Sequence, residues 1–224
     1  MRLNYEVSGQ GEPLILLHGN GEDLTYFKNQ VPVFSLRYTV YAVDTRGHGK
    51  SPRGTGKFRI ERFAEDLYRF MRERHLKKAH ILGFSDGANI AMYFAIRHPE
   101  MVDKLILNGG NAFPTGLKAY FNIPCQVGYR VLKPIAKKVR RVRFAELLGL
   151  MALEPHITPA QLAEITAPTL VLAGTRDIVK RSHTLLIADS IPGAQAVFIE
   201  GGHMISSTVP KVYNEVVMEF LKNR

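Results

Sequence analysis

Three short segments of the chain carry residue types that could together perform acyl transfer. Residues 81–88 read Ile-Leu-Gly-Phe-Ser-Asp-Gly-Ala, which holds the pattern G-x-S-x-G where a strand pattern gives way to a helical one. Glycines at this spacing let strand and helix approach closely, so we expect Ser85 to stand exposed at a helix N-terminus, where N–H groups favour negative charge. A serine hydroxyl needs a base, and Asp177 and His203, each following a strand pattern, complete the order Ser, Asp, His.

The elements that must position these side chains are short apolar strands alternating with longer stretches of helical period. This alternation predicts an α/β fold, with a mostly parallel twisted sheet covered by helices on both faces. Because open α/β sheets build their sites beyond the carboxyl ends of the strands, we expect Ser85, Asp177 and His203 to meet there. The predicted strands are Arg2–Val7, Leu14–Leu17, Thr39–Val43, Ala79–Leu82, Lys104–Leu107, Thr169–Ala173 and Ala196–Ile199.

The first two strands are predicted to form an antiparallel pair at the edge of the sheet. Ser8-Gly9-Gln10-Gly11 between them is a turn signal at hairpin spacing. Amphipathic or apolar patterns predict helices from Ile60 to about Met71, from Ala88 to Arg97 and from Tyr213 to Leu221.

The strand rhythm stops over residues 112–165, where we expect a small basic helical cap or lid inserted into the domain. The core domain is then residues 1–111 and 166–224. The whole chain carries 30 Lys and Arg against 20 Asp and Glu, a net charge of +10. The insertion, with eight Lys or Arg and three Glu, supplies +5 of it. This concentration of charge favours an anionic substrate at Lys133, Lys137, Lys138, Arg140, Arg141 and Arg143. A resemblance to carrier-protein methyl esterases implies an acidic acyl carrier protein as the alternative partner of these residues.

Several function classes lose support on composition. Cys125 is the single cysteine, which favours a reducing, cytoplasmic setting. No apolar run approaches the length of a bilayer span, so we expect no membrane partner.

The basic residues lack interleaved aromatics or a recognition motif, so we expect no nucleic acid partner. His18 and His48 lack metalloenzyme spacing, and we expect neither a metal nor a cofactor. The oligomeric state is left open.

The chain resembles the α/β-hydrolase fold superfamily, in its serine esterase branch, from about Leu3 to Leu221. Besides the Ser, Asp, His order, His18-Gly19-Asn20-Gly21 resembles the oxyanion loop of that superfamily, and residues 44–51, Asp-Thr-Arg-Gly-His-Gly-Lys-Ser, resemble its D-x-R-G-H-G-x-S turn. The resemblance implies a carboxylesterase of the EC 3.1.1 class acting on a small-molecule ester.

The same resemblance implies a role for each site residue. Ser85 is the nucleophile, His203 the general base and then acid, and Asp177 the group that orients His203. The backbone N–H groups of Asn20 and Asp86 form the oxyanion hole. Because the insertion is short, we expect an open site for small acyl groups.

Asp86 leaves the substrate class open. The run Ser85-Asp86-Gly87-Ala88 is similar to the elbow of α-amino acid ester hydrolases such as valacyclovir hydrolase, which implies that Asp86 could bind a substrate ammonium group. A helix-capping role for Asp86 is the alternative. Carbon–carbon bond or thioester hydrolysis, and a non-enzymatic binding protein on a hydrolase scaffold, also remain open.

Overall fold

A twisted seven-stranded sheet forms the centre of the molecule. The structure is a computed structural model that describes residues 1–138 and 142–222, with side chains for 1–135 and 144–222. Its strand order is β1-β3-β2-β4-β5-β6-β7. The strands are β1 Tyr5–Ser8, β2 Glu12–Leu17, β3 Tyr38–Val43, β4 Ala79–Phe84, β5 Val102–Asn108, β6 Thr169–Gly174 and β7 Gln195–Ile199.

The prediction of a mostly parallel sheet is confirmed, since every pairing from β3 across to β7 is parallel. The predicted hairpin is wrong. The edge strand β1 is antiparallel as expected, but it pairs with β3, with Tyr5 opposite Val43, and not with β2. The turn after β1 crosses the end of β3, so β2 lies on the other side of β3 from β1. Gly9 permits this close crossing because it has no side chain; a Cβ there would lie 2.3 Å from the carbonyl oxygen of Ser35.

Helices cover both faces of the sheet. The face with α2, α3 and α7 packs against one apolar cluster that includes Ile60, Phe94 and Ile187. The other face, with α1 and α9, packs against a second cluster that includes Phe34 and Tyr213. The helices are α1 Val31–Phe34, α2 Ile60–Glu73, α3 Asp86–Arg97, α4 Ala119–Lys138, α5 Val142–Leu153, α6 Pro159–Leu162, α7 Arg181–Ser190, α8 Ile205–Thr208 and α9 Pro210–Lys222.

The long stretch between β5 and β6 contains helices joined by irregular segments, and no extended strand occurs in its described residues. It holds α4, α5 and α6, and α4 and α5 pack against each other. We call α4 and α5 the cap; the domain boundaries at 112 and 165 stay predictions. Within residues 1–138 and 142–222, no helix combines the length and the apolar character that crossing a bilayer requires.

Candidate active site

Ser85 occupies a sharp turn between β4 and α3. Its φ is +54° and its ψ is −118°, a conformation that non-glycine residues rarely adopt. The turn can be this tight because the residues two positions before and after Ser85 are glycines without side chains. A Cβ on Gly83 would lie 2.2 Å from the carbonyl oxygen of Gly87, and a Cβ on Gly87 would lie 2.0 Å from that of Leu17. The elbow geometry predicted from G-x-S-x-G is therefore present.

The structure brings Ser85, His203 and Asp177 into one hydrogen-bonded relay. The Nε2 atom of His203 lies 3.1 Å from Ser85 Oγ, and its Nδ1 atom lies 2.7 Å from Asp177 Oδ1. These residues follow β4, β7 and β6, which are parallel strands that end at the same edge of the sheet. Distances of this size allow proton transfer from the hydroxyl to the imidazole.

The acid of the relay is held by backbone donors. Asp177 is buried, and the N–H groups of Val179 and Gly174 donate to its two carboxylate oxygens at 3.0 and 3.2 Å. Burial alone would raise the pKa of Asp177, but the hydrogen bonds and the charge of His203 outweigh burial and lower it. Asp177 is thus held in the anionic form that can orient the imidazole. The Phe84 ring, 4.9 Å from that of His203, supports the imidazole.

Asn20 and Asp86 meet beside Ser85. Asn20 Nδ2 donates to Asp86 Oδ2 at 2.8 Å and to the carbonyl oxygen of Leu147 in α5 at 3.0 Å. Asn89 Nδ2 donates to the other oxygen of Asp86 at 3.2 Å. Burial raises the pKa of Asp86 to about 6, although both amide hydrogen bonds oppose the rise. The Asp86 carboxylate is therefore tethered, and its side chain lines the cavity in front of Ser85.

That cavity has a volume of about 160 Å³ and lies between the sheet edge and the cap. Phe121 of α4 and Met151 of α5 form its apolar roof. In the described part of the chain, no Lys or Arg lines it. The lining residues are Gly19, Asn20, Glu22, Phe84, Ser85, Asp86, Asn111, Leu117, Phe121, Met151, Glu154, Ile178, His203 and Met204.

Sequence reasoning missed two carboxyl groups of this cavity, Glu22 and Glu154. Burial raises the pKa of Glu22 to about 7, while the N–H of Gly19, 3.0 Å from its Oε2, opposes the rise. Glu154 places Oε1 3.3 Å from Arg59 Nε, but its buried Oε2 has no hydrogen-bonding partner among the described residues. Burial also raises the pKa of Glu154. With Asp86, the cavity has three carboxyl groups.

The two histidines weighed as metal ligands connect loops instead. His18 Nε2 accepts from the backbone N–H of Thr45 at 3.0 Å, and His48 Nδ1 lies 2.9 Å from the carbonyl oxygen of Arg46. Burial lowers the pKa of His18. These contacts join the loop after β2 to the loop after β3 and so fix the position of Asn20.

One group within residues 1–138 and 142–222 has the chemistry of metal ligands, and it lies far from Ser85. Glu12, His80 and Asp103 gather at the amino end of β2, β4 and β5. The two ring nitrogens of His80 face different carboxylates, Glu12 at 3.3 Å and Asp103 at 3.5 Å, and Lys78 Nζ lies 3.0 Å from Asp103. The carboxyl ends of the same strands face Ser85, so this group lies at the opposite end of the sheet from the active site.

The basic residues predicted to rim the site are only partly described. Lys133 is exposed, lies 5.3 Å from the ring centre of Tyr129 and does not line the cavity. The side chains of Lys137, Lys138, Arg140, Arg141 and Arg143 lie outside the described residues. The anionic substrate or acidic carrier at the cap stays a prediction.

Comparison with known proteins points to hydrolases along the whole chain. The family model for the alpha/beta hydrolase fold matches residues 12–130. A 2-hydroxy-6-oxononadienedioate/2-hydroxy-6-oxononatrienedioate hydrolase from Cupriavidus pinatubonensis is 30% identical over 99% of this chain and 91% of that protein. A protein from Azorhizobium caulinodans named "Putative carbamate hydrolase RutD" is 27% identical over 97% of this chain and 94% of its own length.

A solved structure of similar size shows the same architecture. The thermophilic esterase from Thermogutta terrifontis is 25% identical to this chain and superposes with a TM-score of 0.81, covering 98% of this chain and 93% of that one. These proteins act on different bonds, so the comparisons identify the fold and a hydrolytic activity but no single substrate.

Proposed function

This chain belongs to the α/β-hydrolase fold family and is a hydrolase; from that premise we propose that it cleaves small carboxylic esters through an acyl-enzyme on Ser85. The observation that carries the proposal is the relay, with 3.1 Å between Ser85 Oγ and His203 Nε2 and 2.7 Å between His203 Nδ1 and Asp177. A binding protein would have no need of this proton path, and the relay therefore favours an enzyme.

The reaction follows from the positions of the groups. His203 Nε2 takes the proton of Ser85 as Oγ attacks the acyl carbon, and Asp177 stabilises the imidazolium that results. The backbone N–H groups of Asn20 and Asp86 bind the oxyanion, each contributing about 2.7 to 4 kcal/mol to transition-state stabilisation. His203 then protonates the departing alcohol. His203 then deprotonates a water molecule as its oxygen attacks the acyl carbon, and it returns that proton to Ser85 Oγ as the acyl–oxygen bond breaks and the acid leaves.

The cavity limits the acyl group that this reaction accepts. A protein cavity of about 150 Å³ holds one benzene ring, and the cavity here measures about 160 Å³. Acyl groups of about four to six carbons therefore fit, and a long acyl chain would have to leave the cavity past the cap.

Replacing the nucleophile tests the proposal. Ser85→Ala should lower kcat for p-nitrophenyl butyrate by at least about 10³-fold, because the attacking oxygen is lost. Ser35→Ala, a serine on the far side of β3, is the matched control and should keep full activity. Circular dichroism of both variants verifies folding. A Ser85→Ala enzyme that is folded and retains a tenth of the activity would refute the acyl-enzyme.

The three carboxyl groups favour a second, finer candidate, an α-amino acid ester hydrolase. The sequence predicts, as an alternative, that Asp86 binds a substrate ammonium group. Glu154 adds a buried oxygen without a hydrogen-bonding partner among the described residues. A substrate ammonium group would supply the donor that Glu154 Oε2 lacks and a positive charge opposite the Asp86 carboxylate, whose two oxygens accept only from neutral amides. Because no described Lys or Arg lines the cavity, a dicarboxylate such as the dienedioate in the name of the Cupriavidus relative fits less well.

A pair of esters that differ in one amino group tests this candidate. The measured quantity is the kcat/KM for p-nitrophenyl alaninate divided by that for p-nitrophenyl propionate. Asp86→Asn keeps the size of the side chain and the backbone N–H, and should lower this ratio at least about tenfold by removing the negative charge. Glu73→Gln, at the exposed end of α2, is the control. An unchanged ratio in Asp86→Asn would exclude ammonium binding but leave the serine mechanism standing.

A further inference from the structure

The outer side of α4 carries an unbroken apolar surface. We call it the outer stripe, and its members are Tyr120, Ile123, Pro124, Val127, Val131, Pro134 and Ile135. At about 100° per residue these positions fall within one arc of about 120°, and at about 1.5 Å per residue they extend over about 22 Å. All are exposed. Water therefore contacts a ridge that a soluble domain would ordinarily bury.

The degree of exposure is high for side chains of this kind. Tyr120 is 65% exposed, Ile123 58%, Val127 52% and Val131 55%. A contiguous apolar surface of this length marks a docking site more often than a solvated face. The opposite side of the same helix is used differently, because Cys125 is buried and Phe121 lines the cavity.

The charge beside the outer stripe has one sign. Arg130 and Lys133 of α4 are exposed next to it. The sequence of α4 itself has four Lys or Arg and no Asp or Glu. A helix with an apolar face and only cationic charge has the composition of helices that lie on anionic membranes.

We propose that the outer stripe docks on the surface of an anionic lipid bilayer. The apolar ridge would enter the boundary between headgroups and acyl chains, while Arg130 and Lys133 contact lipid phosphates. A second copy of this chain fits poorly, because apposed stripes would bring the like charges of Arg130 and Lys133 from both copies together. A specific protein partner would use directional hydrogen bonds, for which the stripe offers only the Tyr120 hydroxyl. The sequence analysis expected no membrane partner, and this proposal revises that expectation.

Docking in this way would place the active site close to the lipid. Tyr120 on the outer stripe and Phe121 in the cavity are neighbours in sequence, so a single helix separates the membrane surface from Ser85. Esters dissolved in the bilayer could then enter the cavity beside α4. This consequence depends on the proposed hydrolase activity, but the docking itself does not.

Sedimentation with lipid vesicles tests the proposal on the full chain. We expect binding to vesicles of phosphatidylcholine with about a quarter phosphatidylglycerol, and little binding to phosphatidylcholine alone. Raising the salt from about 0.1 M to about 1 M should weaken the binding, because the Debye length falls from about 10 Å to about 3 Å. Equal binding to both vesicles, or binding to neither, would overturn the proposal.

A matched pair of valine variants locates the contact. Val127→Asn, in the outer stripe, should weaken vesicle binding about fivefold because it removes buried apolar area. Val212→Asn on α9 changes a valine that is 48% exposed, close to the 52% of Val127, and should leave binding unchanged. Circular dichroism and an unchanged thermal unfolding midpoint confirm that both variants are folded. Equal loss in both variants, or a dimer in light scattering that Val127→Asn dissociates without any vesicle binding, would overturn the proposal.

Discussion

The sheet edge and the cap face each other across the cavity, and they bury their apolar side chains to different extents. In α3, which follows Ser85, every residue from Gly87 to Ala95 is buried. In α4, on the opposite wall, five large apolar side chains are 46% to 65% exposed. The catalytic groups lie on the closely packed wall, and the cap contributes apolar roof residues and Glu154.

This difference separates two requirements of an enzyme. The relay needs atoms held within a few tenths of an ångström, which buried helices and strands supply. The cap wall adds apolar contacts to the cavity through Phe121 and Met151, side chains that are not part of the relay. The family runs different hydrolytic reactions on one fold, and a rigid catalytic edge beneath a variable cap is a physical basis for that range.

The strongest test of the comparison is a methyl group placed in the packed wall. Gly87→Ala puts a Cβ 2.0 Å from the carbonyl oxygen of Leu17. Backbone must move to accept it, so we expect the free energy of unfolding to fall by about 3 kcal/mol. Urea denaturation with an unchanged m-value measures the loss. A stability equal to that of the natural chain would show that the elbow is less tightly packed than described.

An intermediate effect is expected from the charge of the cavity. Because the pKa of Asp86 is raised to about 6, its carboxyl is mostly protonated at pH 5 and mostly ionised at pH 7. If Asp86 binds the substrate ammonium group, the alaninate-to-propionate ratio of kcat/KM should rise about tenfold over that range. Dividing the two kcat/KM values cancels any effect of pH that the two esters share. A ratio independent of pH would contradict the role of Asp86.

The smallest effect should come from the same glycine substitution in the cap. Gly128 lies in α4, and a Cβ there would meet only Leu148 Cδ2, at 3.2 Å. That atom ends a flexible side chain and can shift, and alanine is favoured over glycine inside a helix by about 0.5 to 1 kcal/mol. We expect Gly128→Ala to leave the free energy of unfolding within about 1 kcal/mol of the natural value. Destabilisation as large as that of Gly87→Ala would remove the distinction between the two walls.

Much of the packed wall could be predicted from the sequence because its signals are local. Each predicted strand overlaps an observed one, and the elbow is encoded in five consecutive residues. The predicted pairing of β1 with β2 was wrong because the turn residues indicate where the chain reverses but not which strand becomes the neighbour of β1. Glu154 was missed because it belongs to no sequence motif. It lines the same cavity as Ser85 only because α5, which it directly follows, packs over the sheet edge. Exposure of the outer stripe likewise depends on what covers α4, which periodicity alone does not show.

The two prolines inside α4, Pro124 and Pro134, affect the lifetime of the closed cap. Neither can donate a backbone N–H, so the carbonyl groups of Tyr120 and Arg130, four residues earlier, lose their helical donors. The helix is therefore weakest at two points one turn or more from its ends. Amide hydrogens of α4 should exchange with solvent sooner than those of α3, through openings that leave the sheet intact. We therefore expect local opening of the cavity roof to cost less free energy than unfolding the domain.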